Sequence, residues 1–580
     1  SYLFMLAGYT AAIVGFGSVA DPRFVFDTAV SRVQEISLGI VCAAVVSRLL
    51  FPRHVLPVVT ERIEAWLGDA ADWAQTVLRG QATVASSNQA SRKLAADTIH
   101  LVALTTHLPY DPAGHAWTRD QITLLEQHMT ALVPVLSAIG DRLEALQKEV
   151  PALAPVLQEI LAETATWVQA GPVGQEATAA VLRQRLTRLE KNVEVRVDWA
   201  GLLTFNLCTR LKYFIDIWED CLILRRAIAA GESCIPPHLD AASRFAGDPV
   251  LHLDTQANAI SCLAAVLGTL LSCAIWIGTG WNDGAMAAQM TAVFCSIFAS
   301  LDNPLPALKT HTLCLVGAIV IASIYQFWVF PAIDGFPMLV LALAPFLVTA
   351  GIFMAVPVYG FPAFALCMNG CMFMGVEASY NLDVRAFLNT NLAAVLAGVI
   401  AIIVVTLSHT VGAEERVVRL LRAVWADVAQ LAAARENFEV RAFVRRMVDR
   451  LGLLVPRLAS LPAGTLPQDA GMLLDIRAGL NLAEILRLRE AFTPEEARLA
   501  DAVIHGLSRH FQAKVHLHRP PDDVGLLAQI DGALNQLTQP AARTATGTSL
   551  IHSLVGLRRC VFPQAGRFVA GPLNQEVLAS

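Results

Sequence analysis

SCLAAVLGTLLSCAIWIGTGWNDGAMAAQMTAVFCSIFAS, residues 261–300, holds a single charged side chain, Asp283, in forty positions. A helix of ~20 apolar residues crosses a hydrocarbon layer about 30 Å thick, so this stretch is long enough to cross twice. Its apolar run is broken once, at "GWNDG" (280–284), where two glycines, an asparagine and an aspartate supply turn chemistry. The stretch therefore reads as two membrane helices, 257–279 and 284–301, joined by a tight turn. Outward from it the pattern recurs at 311–330, 336–356, 359–378 and 388–410, with breaks at "DNPLPALKT", "PAIDG", "PVYG" and "SYNLDVRAF". The 356–359 break is short enough that this pair also reads as a re-entrant hairpin. Two more spans, 1–19 and 27–50, flank "ADPRFVF" near the start of the sequence.

Between these runs the composition changes. The 580 residues are 55% hydrophobic and only 16% charged, with a mean hydropathy of +0.51, whereas soluble domains carry about 25% charged residues. Segments 52–250 and 412–580 nevertheless have ordinary soluble composition. The expected organisation is the last two spans of a first membrane block (1–51), a helical domain (52–250), a second block of six spans (251–411) and a second helical domain (412–580). Apolar residues recur at i, i+3, i+4 and i+7 in 58–78, 118–150, 203–230, 414–434 and 470–492, which predicts helical bundles. "RGQATVASSNQAS" (79–91) and "LPAGTLPQD" (461–469) read as linkers. The fold class is all-α: a polytopic membrane protein in which a block of spans followed by a helical bundle occurs twice. "ADWAQ" (71–75) and "ADVAQ" (426–430) stand at matching points of the two halves. Such a duplication predicts four further spans upstream of Ser1, and internal repeats are a common build for transporters. The opening "SYLFMLAGYTAAIVGFGSV" has no basic flank and does not read as a signal peptide.

An even number of spans puts both helical domains on one side. Arg48, Arg53, Arg62, Arg244, Lys309, Arg416, Arg419 and Arg422 lie on that side, against Arg23 and Arg385 on the other. The positive-inside rule makes the domain side cytoplasmic.

Several classes are excluded. A net charge of −6 offers no footprint for nucleic acid. The 11 cysteines are scattered; Cys367 and Cys371 share a helix face but lack a histidine or carboxylate beside them, so no metal site is expected. There is no phosphate-cradling glycine loop, nucleophile elbow or zinc signature. The expectation is a protein that is not an enzyme and needs no cofactor.

"WIGTGWNDGAMAAQMTAVFCSIFASLDNPLPAL" (276–308) resembles the central signature of the fusaric acid resistance and aromatic acid exporter family. "SRVQEISLGIVCAAVVSRLLFP" (31–52) is similar to that family's last span of the first half, and "DIRAGLNLAEILRLRE" (475–490) to its second soluble domain. The resemblance extends over essentially the whole chain. It implies a bacterial inner-membrane exporter of aromatic carboxylic acids or related organic anions, and the reading adopted is a secondary exporter driven by the proton gradient. It also implies partners in some members: a periplasmic membrane-fusion protein and an outer-membrane channel. A homo-oligomer is compatible with the large helical domains. A passive organic-anion channel and a membrane-anchored scaffold remain the alternatives; ionisable groups inside spans favour transport, since a scaffold has no use for charge in hydrocarbon.

Candidate transport residues follow from polarity in apolar surroundings. Arg32 and Glu35, three apart, share a helix face, with Glu35 about 12 Å past Asp27 along the axis. They read either as a structural ion pair or as a carboxylate-attracting guanidinium beside a proton-exchanging carboxylate. Trp281 and Asp283 in the turn read as an interface anchor, or as a stacking surface and a charged gate near the exit. Asp302, Lys309 and His311 are placed at the cytoplasmic side, where Lys309 either draws anions or simply fixes topology. Gln326 and Asn369, inside spans, either bond another helix or line a cavity. Glu377 is expected near the outer mouth. Pro345 and Pro362 interrupt their spans and would kink them.

Overall fold

The computed structural model describes residues 2–19, 21–49, 55–105, 116–150, 153–170, 176–193, 198–233, 235–239, 255–299, 301, 304–376, 380, 382–409, 413–433, 443, 446, 447, 450, 453, 472–517, 523–539 and 544–569. Regular structure in them is helical throughout. In chain order the helices are α1 (Tyr2–Gly17), α2 (Val25–Leu49), α3 (Val55–Leu78), α4 (Val84–Thr105), α5 (Ala116–Glu149), α6 (Pro155–Gln169), α7 (Glu176–Val193) and α8 (Trp199–Ala230). Then come α9 (Thr255–Thr279), α10 (Ala285–Phe298), α11 (Pro304–Ile324), α12 (Phe336–Met354), α13 (Gly360–Met374) and α14 (Val384–His409). The last are α15 (Ala413–Ala433), α16 (Met472–Leu488), α17 (Pro494–Leu517), α18 (Val524–Leu537) and α19 (Ala545–Val561). The chain forms two compact units: residues 1–52 with 253–412, and residues 53–252 with 413–580.

The first unit is the apolar one. Among its described residues are five helices long and apolar enough to cross a membrane, Pro22–Leu49, Asn258–Thr279, Pro304–Ala332, Phe336–Met354 and Val384–Ser408, and three shorter apolar ones, Met5–Gly17, Ala285–Phe298 and Gly360–Met374. These coincide with the eight spans read from the sequence, and the protein is a multi-pass membrane protein. Close backbone approach holds the unit together, as expected where solvent-driven collapse is absent. Ala394, Ala397 and Ala401 form a fully buried stripe on α14, and a Cβ added at Gly398 would stand 2.8 Å from Thr312 Cγ2.

Two expectations are corrected here. α11 begins at Pro304 rather than near 311, because Pro304 and Pro306 fall in its first turn, where no backbone N–H is needed. His311 is therefore two turns inside the helix and buried, not at the start of its span. Pro362 likewise stands third in α13, in the first turn, and kinks nothing. Pro345 alone is interior to its helix.

A sixth helix of membrane-like composition, Thr118–Glu149, belongs to the second unit, with 72% of its apolar window buried there. Its long apolar face is buried because the helix runs through a protein core. In this unit one continuous hydrophobic cluster takes residues from both sequence blocks, from Val59 and Trp218 to Val417 and Leu554. α5 packs along α8 and α16 along α19, and the blocks meet where α5 touches α16 and α8 touches α19. That junction is polar. The Asp141 carboxylate accepts from Arg142 Nη1 (2.8 Å), Arg477 Nη2 (3.1 Å) and Arg559 Nη2 (2.8 Å). Burial would raise the Asp141 pKa, but Arg477, Arg142 and Arg559 outweigh it and hold the carboxyl well below the usual range. Asn206 Nδ2 donates to the His552 carbonyl (2.8 Å), and Arg210 Nη2 to Asn481 Oδ1 (2.7 Å). Further along, buried His510 lies against Phe511 and Phe562; burial first, then the Lys514 charge, pulls its pKa down to about 4.

The expected linker at 79–91 is the start of α4. Thr83 and Ser86 cap it reciprocally, Thr83 N–H donating to Ser86 Oγ (2.9 Å) and Ser86 N–H to Thr83 Oγ1 (3.1 Å). A polar run that looks like a linker is here an N-cap. The 461–469 linker lies outside the described residues.

Candidate functional site

The turn in the opening stretch is built by its glycines. Gly280, at φ +61°, ends α9 in the left-handed conformation that disfavours a side chain, and Trp281 N–H returns to the Trp276 carbonyl (3.2 Å). Gly284 is required by packing: a Cβ there would lie 2.5 Å from Trp276 Cδ1. Asp283 is exposed and accepts from Asn389 Nδ2 on α14 (2.7 Å). Trp281 is half-buried. The turn thus fixes where α10 starts and ties it to α14.

α10, α14, the turn after α11 and the ends of α12 and α13 line a cavity of about 720 Å³, within the range of small-molecule sites. Its wall begins where α11 runs into a single π-helical turn, Tyr325–Val329, followed by a 3₁₀ turn containing Pro331. Such π-turns recur at functional sites. Gln326, in that turn, donates through Nε2 to the Met374 carbonyl at the end of α13, where Gly375 takes φ +50°. Tyr380 Oη donates to the Gln326 carbonyl (3.0 Å), and Tyr325 Oη to the Ala342 carbonyl on α12 (2.9 Å). One irregular turn is thereby anchored to three neighbouring segments.

Phe330, Phe336, Phe373 and Phe387 supply aromatic walls. Asp383 lies at the rim, its Oδ1 accepting from the N–H groups of Arg385 (2.9 Å) and Ala386 (3.1 Å) as the N-terminal cap of α14. Asn391, two turns further on, also lines the cavity. It is 5% exposed, and neither its Nδ2 nor its Oδ1 has a hydrogen-bond partner among the described residues. Buried amides are normally satisfied, so this one stands out.

The sequence-predicted residues divide. Gln326 lines the cavity. Asn369, of the same type, instead bonds across helices: its Nδ2 lies 3.1 Å from His311 Nε2 and 2.7 Å from the Ala365 carbonyl. That pair is enclosed by Phe294 and Phe298. Arg32 Nη1 and Glu35 Oε2 pair with each other at 3.1 Å on α2, a helix with no buried residue. Lys309 is exposed in α11. Asp302 and Glu377 lie outside the described residues. Sequence reasoning passed over Asp383 and Asn391. The signal for Asn391 was present, since "FLNTNLAAVLAG" (387–398) carries two asparagines into an apolar run. No group of three or more metal-ligating side chains occurs among the described residues.

By architecture the chain is an all-α multi-pass membrane protein with an aromatic-walled cavity between its spans. The family model for the fusaric acid resistance protein family matches residues 1–568, and this chain belongs to that family. It is similar to proteins named p-hydroxybenzoic acid efflux pump subunit AaeB. The Yersinia enterocolitica protein is 25% identical over 338 residues, covering 57% of this chain and 48% of the relative. The Pectobacterium atrosepticum protein is 24% identical over 334 residues, covering 57% and 47%. A Yersinia pestis protein is 24% identical over 339 residues, covering 57% and 48%. The chain spans about half the length of the curated relatives it matches. No solved structure matches it.

Proposed function

We propose that this chain is the membrane subunit of a bacterial inner-membrane exporter of aromatic carboxylic acids or related organic anions, a transporter rather than an enzyme. The observation that carries the reading is the cavity: about 720 Å³, walled by phenylalanines and holding an unsatisfied amide within the membrane unit. An aromatic ring fits such walls, and a few placed polar groups give orientation. Family membership and the printed names of the relatives support export of aromatic acids. In this reading the helical unit is cytoplasmic, as the arginine distribution implies. The exporter works with a periplasmic membrane-fusion protein and an outer-membrane channel, in keeping with the relatives' description as pump subunits. Proton exchange drives it, with Glu35, the carboxylate paired with Arg32 on α2, as the candidate coupling residue.

The test is efflux of labelled 4-hydroxybenzoate from loaded cells. Uphill efflux that collapses with a protonophore, and that Glu35→Gln abolishes while sparing downhill exchange, is the expected result. Equal flux in both directions along the anion's electrochemical gradient would replace the pump with a passive channel. Absence of flux would leave a membrane scaffold.

A further inference from the structure

We infer that the cavity is a release chamber at the outer end of the membrane unit, and that the Asp383 carboxylate on its rim keeps its affinity for organic anions low. This rests on the exporter reading above. The placement comes from connectivity. The cavity is lined by the first turns of α10 and α12, the first two turns of α14, the last turn of α13 and the turn after α11. Those ends lie together, so the start of α11, the 354–360 break and His409 stand at the opposite end of the unit. His409 leads towards Arg416, Arg419 and Arg422, the arginine-rich side that the positive-inside rule makes cytoplasmic. The cavity is therefore on the outer side, where an exporter lets its cargo go.

Its charge suits release. Asp383 lines the cavity and is exposed, and no lysine, arginine or histidine stands among the described lining residues. Asp283 and Asp334 are exposed in the neighbouring turns, and Arg385, the cation beside Asp383, does not line the cavity. A helix N-terminus ordinarily attracts anions, because its free N–H groups and its dipole carry partial positive charge. Here Asp383 Oδ1 takes the N–H groups of Arg385 and Ala386 and sets a full negative charge in front of them. The phenylalanine walls hold an aromatic ring, while no cation in the lining pairs with its carboxylate. Cargo that energy coupling has brought to this chamber is released and is poorly captured again.

Thiol labelling of the whole chain in membrane vesicles tests this without a transported substrate, so the exporter reading stands or falls separately in the efflux assay. Thr390 lines the cavity two turns along α14, about 10 Å past Asp383 on the helix axis, and Thr390→Cys puts a small probe there. Two membrane-impermeant methanethiosulfonates, an anionic sulfonate and a cationic trimethylammonium, are added to right-side-out and to inside-out vesicles. The chain without the probe gives the background. Labelling is expected from the outer side, and faster with the cationic reagent once each rate is divided by that reagent's rate with a free thiol. A unit charge about 10 Å away changes a local ion concentration about two-fold in bulk water, and more in a shielded mouth. It acts oppositely on the two reagents, so the cation-to-anion ratio should fall about four-fold or more in Asp383→Asn and in Asp383→Ser. Both replacements still cap the helix. Labelling from the inner side alone, or from neither side, would overturn the placement. A ratio near one in the wild type, or one unchanged in both variants, would overturn the role of Asp383.

Discussion

Asp141 and Asn369 are both buried polar side chains, yet their surroundings solve the problem of burial in opposite ways. Asp141, in the helical unit, keeps its charge and is gripped by Arg142, Arg477 and Arg559. Asn369, in the membrane unit, is neutral and meets a histidine and a carbonyl among phenylalanines. The helical unit can hold ions because guanidiniums from both sequence blocks converge on one carboxylate, Asp141. The membrane unit keeps its interior neutral, so its specificity must come from amides, hydroxyls and ring faces. That contrast explains why the cavity is lined by Gln326, Asn391 and phenylalanines rather than by an arginine fork.

The contrast predicts unequal penalties. Asp141→Ala strips the common counter-charge from three arginines and should destabilise the helical unit by about 3–5 kcal/mol, measured as thermal unfolding of the detergent-solubilised chain. Because its folded pKa is depressed, this stabilisation is complete above about pH 4, the unfolded carboxyl's value, and drains away as the pH falls below it. A wild-type chain as stable at pH 3 as at pH 6 would break the comparison.

His510 gives the next effect. Its folded pKa of about 4 lies below the ordinary histidine value, so the unfolded chain binds the proton first and stability falls as the pH drops from about 6.5 to 4. The expected loss is on the order of 2–3 kcal/mol, and His510→Phe should flatten that part of the stability–pH curve. An unchanged slope in the variant would assign the pH dependence elsewhere.

In the membrane unit the effects are smaller. Asn369→Leu should cost about 1 kcal/mol, the order found for hydrogen bonds between membrane helices, and the double variant Asn369→Leu/His311→Phe should recover part of it because no orphaned partner remains. A double variant worse than the sum of the two single ones would mean the pair does more than pack. Smallest of all is Arg32→Ala on α2. Its pair with Glu35 is exposed in this structure, so the folded stability of the chain should not change measurably, and any effect should appear in transport.

The sequence made the spans and helices legible because hydropathy and turn residues are local properties. Asp283, Trp281 and the two glycines of the turn were visible for the same reason, and the structure shows the glycines to be the ones with strict steric duties. What escaped was set by three-dimensional closure. Gln326 and Asn369 look alike in an apolar run, and only the fold decides that one lines a cavity and the other bonds a neighbour. The span of α11 was read as starting near 311 because two prolines suggested an interruption, when they are its first turn. Asp141 and its arginines come from positions 141, 142, 477 and 559, a grouping no periodicity reveals.

The central claim is that aromatic acids occupy the cavity beside the π-turn. Photolabelling with an aryl-azide analogue of 4-hydroxybenzoate, followed by peptide mapping, tests it most directly. Labels should fall on segments 326–339, 372–376 and 383–391 and be displaced by excess 4-hydroxybenzoate. Displaceable labels confined to α2 or to the helical unit, with those segments unmarked, would contradict it.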